Sequence, residues 1–341
     1  MAVDSERNAP MAADTQTDTI SFADVERAAV RIAGHAQRTP VLRSRSLDLL
    51  AGAELHFKVE ALQRTGAFKF RGASNAVWSL PDDLAARGVV THSSGNHGAA
   101  LALAARTRGI AAHVVVPEGA VRSKVAAIEA YGATVHRCVA SISAREEAAE
   151  RVRVQTGATL VHPYTNPDVI AGQGTAAMEL LGETGPLDAL VAPVGGGGLV
   201  SGTAITAAAL APQATVWAAE PSGAADTAES LRRGARVGPF VPDTICDGLR
   251  TLVGEINFSI LRAHRVQALT VDDSRTIEAM RLIWQRLKIL VEPSAAIVLA
   301  AVLDHPGHFA GRRVGLILSG GNVDLDALPW MPASAHANAP A

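Results

Sequence analysis

Four short tracts of this 341-residue chain bring glycine, hydroxyl, amide and amine groups together in ways that bear on chemistry. The first is Val194-Gly195-Gly196-Gly197-Gly198-Leu199. Consecutive glycines let successive backbone N–H groups converge, and a helix starting behind them adds its positive end. That suits a phosphate monoester. A tight turn made only for helix–sheet packing uses the same residues, and the glycines alone do not choose between the two. The tract is neither a Walker lysine motif nor a Gly-x-Gly-x-x-Gly dinucleotide pattern. The second tract is Gln63-Arg64-Thr65-Gly66-Ala67-Phe68-Lys69-Phe70-Arg71-Gly72-Ala73. The chain has only four lysines: Lys58, Lys69, Lys124 and Lys288. Lys69 stands between two phenylalanines at the start of a predicted helix, where apolar surroundings and a positive helix end both disfavour its charged form. A neutral amine there is ready for imine chemistry. An ordinary helix-start lysine with a solvated head is the plainer alternative.

The third tract, His92-Ser93-Ser94-Gly95-Asn96-His97-Gly98, offers hydroxyls, an amide and free N–H groups at a helix start, a set that can hold a carboxylate. It also reads as a simple N-cap with turn residues. The fourth is Leu318-Ser319-Gly320-Gly321-Asn322. Each is weak alone, and their shared position at strand ends is what gives them weight.

Those strands follow from the pattern of apolar runs. Val89–His92, His113–Pro117, Thr134–Val139 and Leu160–Tyr164 read as strands, with helical periodicity over 97–107, 122–131 and 144–155 between them. The alternation continues with helix 168–181, strand 189–194, helix 199–210 and strand 216–220. Strand 267–271, helices 274–288 and 292–303, and strand 313–318 follow. This spacing predicts right-handed crossovers and parallel sheets covered on both faces, with ligands at the carboxyl ends of the strands. Length predicts about two domains. The pattern places a small one at 81–164, inserted into a large one made of 20–80 and 165–330, with a disordered leader over 1–19 and a flexible tail over 331–341.

Composition narrows the class. Apolar residues make up 48% and charged residues 19%, enough to bury a large core. The net charge of −2 comes without a basic block, so a nucleic-acid partner is not expected. Two cysteines far apart, Cys138 and Cys246, give neither a disulfide framework nor a metal spacing and fit a reducing cytoplasm. The uncharged run from Ala189 to Ala219 is broken by Pro193, four glycines and Pro212, so no membrane span is expected. The polar, acidic first 19 residues do not read as a signal peptide.

Taken together the tracts resemble the fold-type II pyridoxal 5′-phosphate (PLP) enzymes, and within them the serine racemase and serine/threonine dehydratase group. The resemblance runs from about Phe22 to Asp324 and includes Ala171-Gly172-Gln173-Gly174-Thr175 and Ser319-Gly320-Gly321-Asn322-Val323-Asp324. It implies an α/β fold of two open parallel-sheet domains, tryptophan synthase β-subunit-like, with the cofactor in the cleft between them. It implies that Lys69 carries PLP as an imine and that the freed amine removes the substrate α-proton. Gly195, Gly196, Gly197 and Gly198 would bind the cofactor phosphate, Asn96 the ring oxygen, and Phe68 would pack beside the ring. Ser319 would face the pyridine nitrogen. A hydroxyl there does not force protonation as a carboxylate would, which suits elimination and racemisation better than transamination.

By the same resemblance Ser93, Asn96 and His97 would share the substrate carboxylate. Ser94 matches the opposite-face serine of racemases and also reads as a carboxylate-binding hydroxyl. Arg145 matches a substrate-side arginine that could reach a second carboxylate, or is a solvated helix arginine. Glu220, Ala224 and Asp226 match a divalent-cation site for Mg²⁺ or Ca²⁺; the alternative is a strand-end acid and an acid at a helix N-terminus. Two departures from mammalian racemases, Tyr164 for asparagine and Ala99 for glutamine, tilt the reading toward a dehydratase of β-hydroxy amino acids of the L-serine/L-threonine type. Serine racemase and hydroxyaspartate or phenylserine ammonia-lyase are the alternatives on the same scaffold. The family implies a homodimer and a small amino acid as substrate.

Overall fold

The computed structural model describes residues 20–120 and 122–331. The expected leader, and the tail beyond Met331, lie outside the described residues. The chain forms two sheets. The larger has six strands: β1 (Val41–Leu42), β2 (Glu54–Val59), β7 (Ala189–Pro193), β8 (Thr215–Pro221), β9 (Gln267–Val271) and β10 (Arg313–Leu318), in the order β1-β2-β10-β7-β8-β9. The smaller has β3 (Val89–His92), β4 (Ala112–Pro117), β5 (Thr134–Cys138) and β6 (Thr159–Leu160), in the order β5-β4-β3-β6. Every pairing is parallel except β1 with β2, an antiparallel edge of two residues. The alternation of apolar runs and helices predicts this α/β architecture, because parallel strands are buried on both faces and read as continuous Val, Leu and Ala. In β7, Val191 packs into the cluster under the helix Pro293–Asp304. Leu190 and Ala192 pack into the opposite cluster under the helices Pro167–Thr184 and Gly198–Leu210.

One predicted strand is shorter than its apolar run. The strand expected over 160–164 stops at Leu160, with one further ladder bond from the Val161 N–H to Val90 O. Pro163 has no N–H to give, and the amides of Tyr164 and Thr165 turn to His162 Nδ1, 3.5 and 3.2 Å away. The end of that run is therefore free to bend into the cleft. The structure also adds elements beyond those expected from the apolar runs, among them β1, β2 and the helices Phe22–Ile32, Arg45–Ala51, Asp226–Arg233 and Glu255–Ala263.

Three helices are brought to near contact by glycine. A Cβ on Gly172 would lie 2.6 Å from Gly72 Cα, and one on Gly202 would lie 2.5 Å from Gly174 N. The Ala171–Thr175 tract is thus the surface on which the helix Lys69–Ser79 and the helix Gly198–Leu210 lie against Pro167–Thr184. The first of these helices is further held by a buried charge network. Arg71, with no exposure, donates to both oxygens of Glu60 (2.7 and 2.8 Å) and to both of Glu179 (2.7 and 2.8 Å). Lys58, equally buried, reaches Glu179 at 2.6 Å and the Thr39 carbonyl at 2.6 Å. Two cations and two carboxylates balance, which is the condition for burying any of them.

Removing one member of that set leaves an uncompensated buried charge. Arg71→Met is expected to lower the unfolding free energy by about 3–5 kcal/mol. Urea denaturation followed by circular dichroism checks this; a loss below about 1 kcal/mol, the range of an exposed pair, contradicts it.

Candidate active site

The four tracts stand where β2, β3, β7 and β10 end. After β2 the chain makes two short turns, with Thr65 at φ +60° and Gly66 at φ +71°, and then runs beside the residues that follow β10. The Phe68 N–H donates to Ser319 O and the Gly321 N–H to Gly66 O, both at 2.9 Å, with a bridge between Ala67 and Gly320. This short antiparallel ladder sets Phe68 and Lys69 against Ser319, which is only 3% exposed. Lys69 Nζ donates to Pro163 O at 3.0 Å and lies 5.0 Å from the centre of the Phe68 ring. Burial pushes its ammonium down to about 8 from 10.5, against the opposing pull of the Glu292 carboxylate.

After β7 the tetraglycine turns into the helix Gly198–Leu210, with Gly197 at φ +95°. Among the described residues the N–H groups of Gly195, Gly196 and Gly197 have no protein acceptor. The Tyr164 ring covers this turn so closely that a Cβ on Gly196 would be 2.3 Å from it. Asn257 Nδ2 holds the Tyr164 carbonyl at 3.0 Å and Ser201 Oγ at 3.2 Å. Free donors converging at a helix N-terminus, on a turn that only glycine can make against Tyr164 and Asn257, form a cradle fit for a phosphate.

After β3, Ser93, Ser94 and Asn96 form the loop and first helical turn, and a Cβ on Gly98 would lie 2.2 Å from Ser93 O. His97 is buried. Its Nε2–H donates to Val161 O at 3.3 Å, so Nδ1 is a bare acceptor, and it has no partner. A bare acceptor does not suit the substrate carboxylate expected of it. His92, His162 and Tyr164 stack edge to face, at 5.0 and 4.6 Å between centres. Burial pushes His162 down to about 4 and His97 well below its usual range, so both rings stay neutral beside Lys69. Arg145, half-buried on the helix Ile142–Thr156, places a positive charge near His92 and Tyr164 while its Nε holds Ser141 O at 3.3 Å.

Glu220, at the end of β8, accepts the Thr227 and Ala228 N–H groups at 2.9 Å each, which is the helix-terminus arrangement. Asp226 Oδ2 accepts from Val253 N at 2.8 Å, but its Oδ1 is buried with no partner. Burial raises Glu220 to about 8 and Asp226 to about 6, and Asp226 itself adds to the rise at Glu220. An orphaned carboxylate oxygen beside a second buried carboxyl group fits a hard cation, with the Ala224 carbonyl in the same turn. Among the described residues no three His, Cys, Asp or Glu side chains converge on a metal position.

One participant escapes the sequence pattern. Glu292, 3% exposed, accepts from Asn96 Nδ2 at 3.0 and 3.3 Å, and Asn322 Nδ2 donates to Asn96 Oδ1 at 2.9 Å. Burial and the nearby Asp247 carboxylate raise Glu292 to about 7. Its one signal in the sequence is an acid directly before Pro293 at the head of an apolar helix. Its partner lies 196 residues away. A cavity of about 830 Å³ opens beside Asn96, lined also by Ala99, Lys124, Tyr131 and Asp247. The Lys124–Asp247 ion pair spans its two walls.

The family model for pyridoxal-phosphate dependent enzymes matches residues 32–320. The chain belongs to that family. It is 46% identical over 310 residues to the β-hydroxyaspartate dehydratase of Paracoccus denitrificans, covering 91% of this chain and 98% of that protein. It is 47% identical over 314 residues to the serine racemase of Dictyostelium discoideum, covering 91% and 97%. Maize serine racemase superposes with a TM-score of 0.87 at 43% identity, covering 90% of this chain and 95% of that one. The fold is that of the PLP fold-type II enzymes. No helix of the described residues is long and apolar enough to cross a membrane.

The depressed ammonium can be tested without any cofactor. Acylation of Lys69 by a small amine-directed reagent is expected to rise with pH through a midpoint near 8, because the neutral amine is the reacting form. At that pH its neutral fraction is on the order of a hundred times that of an unperturbed lysine. Peptide mapping by mass spectrometry reads both; a profile that follows exposed Lys288 contradicts it.

Proposed function

We propose that this protein is a PLP-dependent dehydratase (ammonia-lyase) of β-hydroxy amino acids, releasing an oxo acid and ammonia by α,β-elimination. The observation that carries this is the Lys69 amine. It is desolvated, held at the Pro163 carbonyl, and sits where the tracts after β2, β3 and β10 meet the loop that covers the tetraglycine turn. The chemistry that bound PLP supplies is an electron sink for the charge left when the α-proton departs. The N–H groups of Gly195 to Gly198 would hold its phosphate, the Asn96 amide its ring oxygen, the Ser319 hydroxyl its ring nitrogen, and Phe68 would flank the ring. Lys69, neutral in a large fraction at pH 8, would take the α-proton. Ser93, Ser94 and the N–H groups at the start of the helix Asn96–Arg108, that of His97 among them, would hold the substrate carboxylate, and the His97 ring, a bare acceptor, would not. Tyr164 would bound the side-chain end of the site.

Among β-hydroxy amino acids, L-serine and L-threonine are the simplest substrates. A hydroxyaspartate is supported by the positive charge of Arg145 near Tyr164 and by the 46% identity to a β-hydroxyaspartate dehydratase. Racemisation is the second reading, supported by Ser94 and by the likeness to serine racemases. We assign Mg²⁺ or Ca²⁺ to Glu220, Asp226 and the Ala224 carbonyl, on the strength of the orphaned Asp226 Oδ1. The two sheets support the large and small domains as drawn from the sequence, while the homodimer rests on the resemblance and the cytoplasm on the two cysteines far apart in sequence.

Oxo-acid release is expected from at least one of D- and L-serine, L-threonine, the hydroxyaspartate diastereomers and phenylserine. Lys69→Ala should lower it by about 10²–10⁴-fold or more. Turnover of none by yellow protein, with enantiomer exchange on a chiral column, would give the site to the racemase reading. Removing divalent cations with a chelator should lower Tm, and Mg²⁺ or Ca²⁺ should restore it. An unchanged Tm and unchanged activity would withdraw the metal.

A further inference from the structure

The Asn96 amide sits in a chain of hydrogen bonds whose direction is fixed from one end. At one end is the Thr65 carbonyl, which can only accept, and Asn322 Nδ2 donates to it at 2.8 Å. The same NH₂ group gives its other hydrogen to Asn96 at 2.9 Å, so the atom it meets must be the Asn96 oxygen. The Asn96 NH₂ group therefore faces the Glu292 carboxyl, which offers an acceptor oxygen in either protonation state, at 3.0 and 3.3 Å. Amide orientation is ordinarily ambiguous, and here the neighbours decide it. One Asn96 N–H is spent on Glu292. Among the described residues the other has no acceptor.

Two glycines exist to let this chain form. A Cβ on Gly66 would lie 2.3 Å from Asn322 Oδ1, and one on Gly320 would lie 2.6 Å from Glu292 Oε1. Glu292 is in turn tied to the strand-end loop through its own N–H, which donates to Gly320 O at 3.0 Å.

We propose that Glu292 and Asn322 are positioning residues that lock Asn96 as a hydrogen-bond donor toward the cleft, and so set which atom of the bound cofactor carries the shared proton. The inference rests on the reading of Lys69 as the PLP lysine. A donor at the ring oxygen favours the anionic oxygen, with the proton on the imine nitrogen. If Asn96 turns over, its carbonyl faces that oxygen, and the proton moves to the oxygen so that it can donate. Nothing is added or lost; one proton changes its site within the conjugated system.

The test is the absorption spectrum of the holoenzyme without substrate, in which the first form absorbs in the visible and the second in the near-ultraviolet. Glu292→Leu removes the acceptor. Asn322→Asp puts an acceptor where the donor stood, at an exposed position. Both are expected to lower the visible-to-near-ultraviolet ratio by about tenfold, the worth of one charge-assisted hydrogen bond. Glu292→Gln keeps an acceptor oxygen and should stay near wild type. Borohydride reduction and the mass of the Lys69 peptide report separately whether the imine is present. An intact imine with an unchanged ratio in Asn322→Asp overturns the positioning role and leaves the reading of Lys69 standing, even if Glu292→Leu does not fold. Wild-type protein that forms no imine overturns that reading, and the positioning role with it.

Discussion

Everything in the site depends on keeping one lysine amine out of water without losing it into the core. Lys69 can be desolvated only because its backbone is immobile. The immobility comes from the short ladder between Gly66–Phe68 and Ser319–Gly321 on one side, and from the Arg71 network two residues further along the same helix on the other. An arginine whose donors are met by Glu60, Glu179 and the Thr175 hydroxyl cannot shift by a rotamer without stranding a buried charge. The helix start that carries Lys69 is therefore fixed against both β2 and the helix Pro167–Thr184. Glycine pairs at Gly72–Gly172 and Gly174–Gly202 bring these helices close enough for the network to close.

Burial has the same sense throughout the cleft. It lowers Lys69 to about 8 and His162 to about 4, and raises Glu292 to about 7. Each group is moved toward its neutral form, because the charged form loses its hydration. A site with few fixed charges leaves the charge of an incoming phosphate or carboxylate to be met by backbone N–H groups and helix ends. These are aimed by the fold and need no reorganisation. The carboxyl groups of Glu220 and Asp226 follow the same trend on the β8 side, where Asp226 Oδ1 has no hydrogen-bond partner among the described residues.

Much of this was legible in the linear sequence, for a physical reason. Parallel strands buried on both faces must be largely apolar, so β3, β4, β7, β8 and β10 stand out as short runs between helical periods. Their carboxyl ends then point to the glycine, serine and asparagine tracts that form the site. The β1–β2 edge was not legible. A two-residue strand carries too little pattern, and β2, though buried from Leu55 to Val59, contains His56 and Lys58, the latter a charge made tolerable by the distant Glu179. The run ending at Tyr164 misled, because its apolar character suits the cleft wall as well as a strand.

The site divides along the same line. Local chemistry determines that Lys69 begins a helix between aromatic rings, that Gly195 to Gly198 can turn their N–H groups together, and that Ser319 ends a buried strand. These depend on neighbours in sequence, so the sequence alone carries them. Which donor faces which acceptor was decided by the tertiary structure. Glu292 meets Asn96 across 196 residues and Asn322 meets it across 226. His97 turns its only N–H to Val161 O and becomes a bare acceptor. A hydrogen bond has direction as well as location, and direction is set only when every partner is in place.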